Sequence, residues 1–571
     1  MKGNEEGGKE GGREGRMVIF FVKEEVDNEE RVEEGGKEEE GKETERGETE
    51  NGKKQGTRDC PDGRECAPPP RGKRGDGEPV GSAEEGRRTE GLSAAFLAFL
   101  CLSFLLTPRS RKDTPPVIGN AWPLFGHFFL FLKSPINLIK SSYQTYGSVF
   151  TVNLFTQRMT FLIGPEAAAA FFKASDKELG QDEVYGFMKA VFGEGVVYDS
   201  DPKKRNLQMQ RTANALKSGR LRTYVEKITE ETEAFFKGWG EAGEVDICEA
   251  LSDLIILTAS RCLHGDDVRQ ELFAEVSKLY NDLDQGITPV SVLFPNLPIP
   301  SHWKRDAARK EMVKLFSKVI QRRRAAGTAE AEARTDILQV FMDIEYKDGS
   351  KITDDEVTGL LIALLFAGQH TSSITSSWTA LYLAQNKGLQ DRVYAEQVAI
   401  RGQDTGSEAA LRALDFDAVG KMDLLFNCLR EALRMHPPLI MLMRQCRQDL
   451  LVQSQEGKAY TVPKGSVVAV SPSVQQRLPS LFPVPDSFDP DRFAPPREEH
   501  KPLFAYVPFG GGLHACLGQQ FAYVQLKTVL SLLFSKFELT LATPDGAVPP
   551  PNYHAMVVGP TAPCTVKYRR R

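Results

Sequence analysis

Phe509-Gly510-Gly511-Gly512-Leu513-His514-Ala515-Cys516-Leu517-Gly518 is the stretch on which the reading of this chain turns. Gly510, Gly512 and Gly518 let the backbone turn sharply and pass close to a bound group that side chains would block. The loop delivers one thiol, Cys516, to the mouth of a predicted helix running from Phe521 to Phe537. Unpaired N–H groups at a helix N-terminus favour negative charge, so they lower the pKa of a cysteine placed there and promote the thiolate, the form that ligates metal. Phe509 is positioned to shield that sulfur from water. The plainer alternative for Cys516 is an ordinary buried thiol.

The chain has 571 residues, 41% of them hydrophobic, and a formal net charge of -6. Length alone suggests roughly three or four domains, yet the motifs spread over one continuous block, so we read a single large catalytic domain over 107–571. The mild negative charge argues against nucleic-acid binding. Nine cysteines lie scattered without CxxC pairs, which fits a reduced, cytosol-facing compartment better than a disulfide framework. Cys60 and Cys66 are close in sequence but sit in a polar tail, where chance is the simpler account.

Residues 1–88 are rich in Gly, Glu, Lys and Arg and poor in aromatics, a composition that predicts disorder. The apolar run Leu92 to Leu106, followed by Arg109, Arg111 and Lys112, reads as a membrane anchor. As a helix it covers about 22 Å of a hydrocarbon core of about 30 Å, a marginal span. Its basic flank places the large domain on the cytosolic side. Pro115-Pro116 and Gly119 to Pro123 form a stiff connector. Long amphipathic helices follow, interrupted by strand-like pieces at Val149 to Leu154, Met159 to Ile163 and Ser466 to Val470. Ala325 to Arg334 and Gly402 to Ala410 read as surface loops.

Thr353-Asp354-Asp355-Glu356 is a capping box, and the apolar run after it reaches about Lys387, which predicts one helix of roughly 50 Å. In its middle, Ala367-Gly368-Gln369-His370-Thr371-Ser372-Ser373 places glycine and polar residues on an otherwise buried element, a local cost that something must offset. Further on, Glu431-Ala432-Leu433-Arg434 sets a carboxylate and a guanidinium one turn apart, ended by Pro437-Pro438, and Phe488-Asp489-Pro490-Asp491-Arg492-Phe493 follows. Alone, such a Glu/Arg pair is usually a solvated surface bridge.

Taken together these motifs resemble the haem-thiolate monooxygenase cytochromes, and Gly368-Gln369-His370-Thr371-Ser372, with histidine where most members carry an acid, resembles the sterol 14α-demethylases among them. The resemblance covers about Pro115 to Lys536. It implies a mainly α fold with small β-sheets, holding haem b between the long central helix and the helix after the cysteine loop. Cys516 would be the thiolate ligand, which pushes electron density onto iron and favours O–O cleavage. The resemblance also implies a local bulge in the central helix, where Thr371 and His370 serve catalysis by hydrogen-bonding dioxygen and steering protons. Glu431, Arg434 and Arg492 would form a buried structural triad, and Phe509, His514, Arg444 and Tyr185 would contact the cofactor.

Tyr185-Gly186-Phe187-Met188 and Phe192 to Asp199 resemble the demethylase segment that roofs the substrate cavity, which implies a substrate wall of Tyr185, Phe187, Phe192 and Tyr198 with Ala367, Ile440 and Leu442. For any one aromatic the plainer reading is core packing. The reaction implied is three successive oxidations that remove a sterol 14α-methyl group as formate. Phe187 points to C4-monomethylated sterols such as obtusifoliol, with lanosterol the other candidate. Electrons would come from an NADPH-dependent diflavin reductase, with Lys203, Lys204 and Arg205 candidates for its docking face. The family's Arg-His-Arg before the cysteine is here Leu513-His514-Ala515, which removes both positive charges and bears on that docking. The implied setting is a monomer in the endoplasmic reticulum membrane. Two other readings stand beside this one: a haem-thiolate monooxygenase acting on another hydrophobic substrate, and a non-catalytic haem-binding sterol carrier or sensor, against which the presence of Thr371 argues.

Overall fold

Thr353 caps the longest helix of the molecule, Asp354–Gln385. Its hydroxyl accepts from Glu356 N at 3.1 Å while the Glu356 carboxylate accepts from Thr353 N at 2.9 Å, the reciprocal bonding the sequence called for. The helix is buried on most of its circumference, as expected of an element apolar all round. Among the described residues it is the one helix long and apolar enough to cross a membrane, a property its place in the core accounts for.

This computed structural model describes residues 113–571 apart from 120, 123–124, 155–156, 289–290, 293, 327–333, 335, 403–410, 554 and 556. The charged tail 1–88, the anchor candidate 92–106, Cys60, Cys66 and most of the two Gly/Ala/Glu-rich stretches lie outside the described residues.

Most of the fold is helical, with strands gathered into small sheets. β1 (Val149–Leu154), β2 (Gln157–Leu162), β3 (Leu179–Gly180), β4 (Ala242–Asp246), β5 (Leu442–Cys446), β6 (Leu450–Gln453), β7 (Ala459–Val462), β8 (Val467–Val470), β9 (Phe537–Leu541) and β10 (Thr565–Arg570) are the strands in chain order. They form a five-stranded sheet, β1-β2-β8-β5-β3, a three-stranded sheet, β4-β10-β9, and the pair β6-β7. The Val-Val-Ala-Val run of β8 is buried throughout, as suits a strand between a parallel neighbour, β2, and an antiparallel one, β5. The proline connector lies along β1: Thr151 N donates to Pro116 O at 2.8 Å and Ile118 N to Thr151 O at 3.0 Å.

One large apolar core joins the central helix to the helices Ser218–Phe236, Ile247–Leu263 and Pro300–Ala325, and to Gln519–Lys536, the helix that follows the cysteine loop. Two smaller cores sit on either side of the five-stranded sheet. Central helix and cysteine-loop helix thus belong to the same packed body, and the space left between them is the site.

Candidate active site

The cysteine loop is built around two glycines that no other residue could replace without movement. Gly510 and Gly512 both have φ 67°, in the left-handed region, and a Cβ on Gly512 would stand 1.8 Å from Phe172 O. Gly518 differs from the expectation. Its φ of -82° is ordinary, and an added Cβ would meet only Cys516 Sγ, at 3.7 Å. Cys516 N donates to Phe509 O at 2.9 Å, closing the loop on itself, and the Phe509 ring packs edge-on against Tyr523 at 5.1 Å.

Cys516 borders a mostly apolar cavity. Phe509, Gly510 and Gly518 line it on the cysteine side, and Ala367, Gly368, Thr371 and Thr375 of the central helix line it opposite. Gly368 faces open space, since a Cβ there would have nothing within 4 Å. The Thr371 hydroxyl donates to Ala367 O at 2.6 Å and also borders the cavity. The helix continues as α-helix through Ala367 to Ser373, where a bulge was expected. The hydroxyls of Thr371 and Ser373 bond back to carbonyls about one turn earlier, as serine and threonine do in helix interiors, while Gln369 reaches Ser252 and Tyr280 and His370 reaches Asp284, which settles their hydrogen bonding without breaking the helix.

The electrostatics of Cys516 also depart from the expectation. The N–H groups of Gly518 and Gln519 do pull its pKa down, but burial outweighs them and holds the thiol up, at about 11. Such a sulfur becomes a thiolate when a metal cation replaces its proton.

Close to the site, though not bordering the cavity, lie three buried polar side chains, Arg444, His514 and Tyr185. Leu442 lines the cavity, and Arg444, two residues along β5, is buried on the same face of the strand. Arg444 Nη1 donates to Phe171 O at 2.6 Å, its Nε has no partner, and burial lowers its pKa to about 10. His514 is buried with Nδ1 unpartnered. Its Nε2 lies 2.7 Å from Asp176 Oδ1, though off hydrogen-bonding geometry. Burial lowers the His514 pKa against the opposing pull of Asp176. Tyr185 OH accepts from Met443 N at 3.2 Å, beside Arg444, and burial raises its pKa. Buried donors lacking acceptors close to a cysteine-lined cavity fit a ligand with an anionic edge, as haem with its propionates is.

His370 turns away from the cavity, about 100° round the helix from Thr371. Its Nε2 lies 3.0 Å from Asp284 Oδ1, and its ring packs near Tyr280 and Phe366. Tyr185, Phe187, Phe192 and Tyr198 are all buried but do not border the cavity. Tyr185 packs on Tyr198 at 5.2 Å, Tyr198 on Phe192 at 6.4 Å and Phe192 on Phe366 at 6.3 Å, so three of the four rings satisfy one another. Of the seven expected wall residues, Ala367 and Leu442 reach the cavity. Ile440 does not, and its carbonyl accepts from Ser471 Oγ at 2.7 Å. A smaller apolar cavity, lined by Val197, Met209, Phe341 and Leu360 among others, shares Leu364 with the larger one.

Behind the site, Glu431, Arg434 and Arg492 come together as expected. Arg434 Nε donates to Glu431 Oε2 at 2.7 Å and Arg492 Nε to Glu431 Oε1 at 2.9 Å, with all three side chains at most 1% exposed. The docking run fares differently. Arg205 is buried and paired with Asp182 and Asp176, and Lys204 lies over the Tyr346 ring at 4.5 Å, which leaves Lys203 as the exposed cation of the three. Asp176, Asp284 and Phe172 escaped the sequence reading because their partners lie far along the chain, 86 residues on for Asp284, and no local pattern marks them.

Residues 115–568 match the family profile of cytochrome P450. The chain is 48% identical to the Sterol 14-demethylase of Arabidopsis thaliana, over 83% of this chain and 95% of that one. It is 47% identical to the Obtusifoliol 14-alpha demethylase of Sorghum bicolor, over 86% and 97%, and 41% identical to the Lanosterol 14-alpha demethylase of Bos taurus, over 84% and 93%. Among solved structures, retinoic acid bound cyanobacterial CYP120A1 superposes with a TM-score of 0.68 at 25% identity, covering 81% of this chain and all of that one. With Cys516 and Thr371 facing across one cavity and these likenesses spanning the described residues, the chain belongs to the cytochrome P450 family, in the group of the sterol 14-demethylases.

Proposed function

We propose that this protein removes the 14α-methyl group of a sterol precursor of the obtusifoliol type, in three oxidations that end in formate. The observation that carries the reading is the cavity itself: one thiol on one wall, and a glycine and a threonine hydroxyl on the facing helix. Haem, when bound, supplies oxygen activation at an iron whose thiolate ligand favours O–O cleavage. The chain's own residues do the rest.

Cys516 is the residue that would hold the metal, its proton passing to solvent as the cation displaces it, and the N–H groups of Gly518 and Gln519 favour the resulting anion. Phe509 and Leu526 keep water from the sulfur side of the cavity. Arg444 and His514 supply the donors for an anionic ligand edge. Thr371 holds its proton on Ala367 O and, by rotating about χ1, presents the hydroxyl to a ligand in the cavity. His370 Nε2, held by Asp284, holds a proton one residue behind Thr371 and is assigned to its resupply. The apolar lining, among it Leu216, Leu263, Leu439 and Leu442, suits a fused-ring lipid with few polar groups.

A membrane setting, with the catalytic domain facing the cytosol at the endoplasmic reticulum, is supported by exposed apolar side chains in two places. Trp122, Phe129, Leu130 and Leu132 form one group and Phe294, Leu297 and Trp303 the other. Reducing equivalents are assigned to an NADPH-dependent diflavin reductase docking on the cysteine side, and the protein to a monomeric state. The test is reconstitution with such a reductase and NADPH on obtusifoliol, lanosterol and a fatty acid. One formate per sterol turned over, faster for obtusifoliol than for lanosterol, is the expected result. Turnover of the fatty acid alone would assign the site to another hydrophobic substrate, and sterol binding without formate would make it a carrier.

A further inference from the structure

Away from the cavity, Asp246, Cys248 and Cys564 bring their ligand atoms together, each within 4.8 Å of the others. The fold builds this cluster from distant parts of the chain. β4 ends at Asp246, which caps the helix Ile247–Leu263, and β10 pairs antiparallel with β4 so that Thr565 lies opposite Asp246. Ile247 N donates to Cys564 O at 3.1 Å and Cys564 N to Asp246 Oδ2 at 2.8 Å, which pins both ends. Both thiols are free, Cys564 buried and Cys248 half-buried.

The spacing admits a bridging cation. Zinc–sulfur bonds of about 2.3 Å at a tetrahedral angle set the sulfurs about 3.8 Å apart, inside the 4.8 Å that bounds the separation of the ligand atoms. Asp246 Oδ1 accepts from Cys248 N at 2.9 Å and Glu249 N at 3.2 Å, and Oδ2 accepts from Cys564 N. A carboxylate has about four lone-pair directions, so one remains on Oδ2 for a cation. Cys248 is half-buried, and a water would complete a tetrahedral set of four ligands.

We propose that Asp246, Cys248 and Cys564 bind one soft divalent cation of the zinc class, through two sulfurs and one carboxylate oxygen. Each thiol loses its proton to solvent as its metal–sulfur bond forms, so two protons leave per cation and no electrons move. Two thiolates and a carboxylate around a divalent cation carry one net negative charge, which the N-terminus of the helix Ile247–Leu263 favours. Occupied, the site clamps the start of that helix, which packs on the central helix, to the C-terminal strand pair.

The test uses the full-length, haem-loaded protein, reduced and freed of metal by a chelator, then titrated with cadmium while thiolate-to-cadmium charge-transfer absorption is followed. Wild type is expected to take up one more equivalent than Cys248→Ser or Cys564→Ser, both judged folded by an unchanged ferrous–carbon monoxide Soret band. Zinc is expected to raise the Tm of wild type and leave both variants unmoved. Should the variants fail to fold, X-ray absorption at the zinc edge of wild type decides, with two sulfur neighbours expected. Equal uptake in all three proteins, a zinc shell of oxygen and nitrogen alone, or an isolated protein with Cys248 and Cys564 joined as a disulfide and no metal uptake would each overturn the proposal.

Discussion

Thr371 and Cys516 face each other across one cavity, so their removal should fail in different ways. Thr371→Ala removes the hydroxyl that borders the cavity and leaves the apolar lining intact. It is expected to lower formate release about 100-fold or more while the sterol-induced spectral shift persists and NADPH consumption uncouples from product. Equal losses of binding and turnover would place Thr371 among the merely structural residues. The aromatic roof was the least legible part of the site. Tyr185, Phe192 and Tyr198 were visible as a patch of rings, but whether rings face a ligand or one another depends on side-chain packing that a linear pattern does not encode. His370 was legible as unusual, while its partner Asp284 was invisible, because that pair forms only when two helices come together.

At the scale of elements, the cysteine loop and the central helix were both readable because their signals are local. A capping box, an apolar run and a string of glycines declare themselves within a few residues. What the sequence left open was which glycine is obligatory, since that depends on Phe172, far earlier in the chain. Gly512→Ala drives a Cβ to 1.8 Å from a backbone oxygen at positive φ, whereas Gly518→Ala makes an ordinary contact. The first is therefore expected to abolish haem incorporation and the second to retain it, measured as the ratio of haem to protein after purification. Similar ratios for the two would contradict the account of the loop. The continuous central helix has the same lesson: polar residues inside an apolar run signalled a special place, but backbonding of the hydroxyls and side-chain partners on neighbouring helices, not a bulge, are how this chain accommodates them.

For the molecule as a whole, the Glu431 cluster ties the helix Asp423–Met435 to the segment around Arg492, with no solvent to replace a lost partner. Glu431→Gln is expected to destabilise the fold by about 3–5 kcal/mol, because it leaves the buried Arg434 guanidinium without a counter-charge and Arg492 with Glu499 alone. A drop in Tm with little soluble haem protein is the readout, and an unchanged Tm would contradict it. Buried histidine sets a second global property. Burial lowers the His264 pKa from 6.5 to about 4, so the unfolded chain binds its proton more readily than the folded one. The stabilisation from keeping His264 neutral is full above pH 6.5 and is lost as pH falls toward about 4, amounting to about 3 kcal/mol at the acid end. Tm is expected to fall over that range in wild type and to fall less steeply in His264→Gln, and parallel slopes would remove His264 from the explanation. The family was legible because its motifs are spaced along one continuous block, while the long-range ion pairs that lock the fold were legible only where the resemblance named them.

The whole account rests on Cys516 sulfur holding the haem iron, and the ferrous–carbon monoxide spectrum of the purified, haem-loaded protein tests that most directly. Wild type is expected to show the red-shifted Soret band of thiolate ligation and Cys516→Ser to lose it. A wild-type band at the unshifted position typical of histidine ligation, with haem fully bound, would contradict the account.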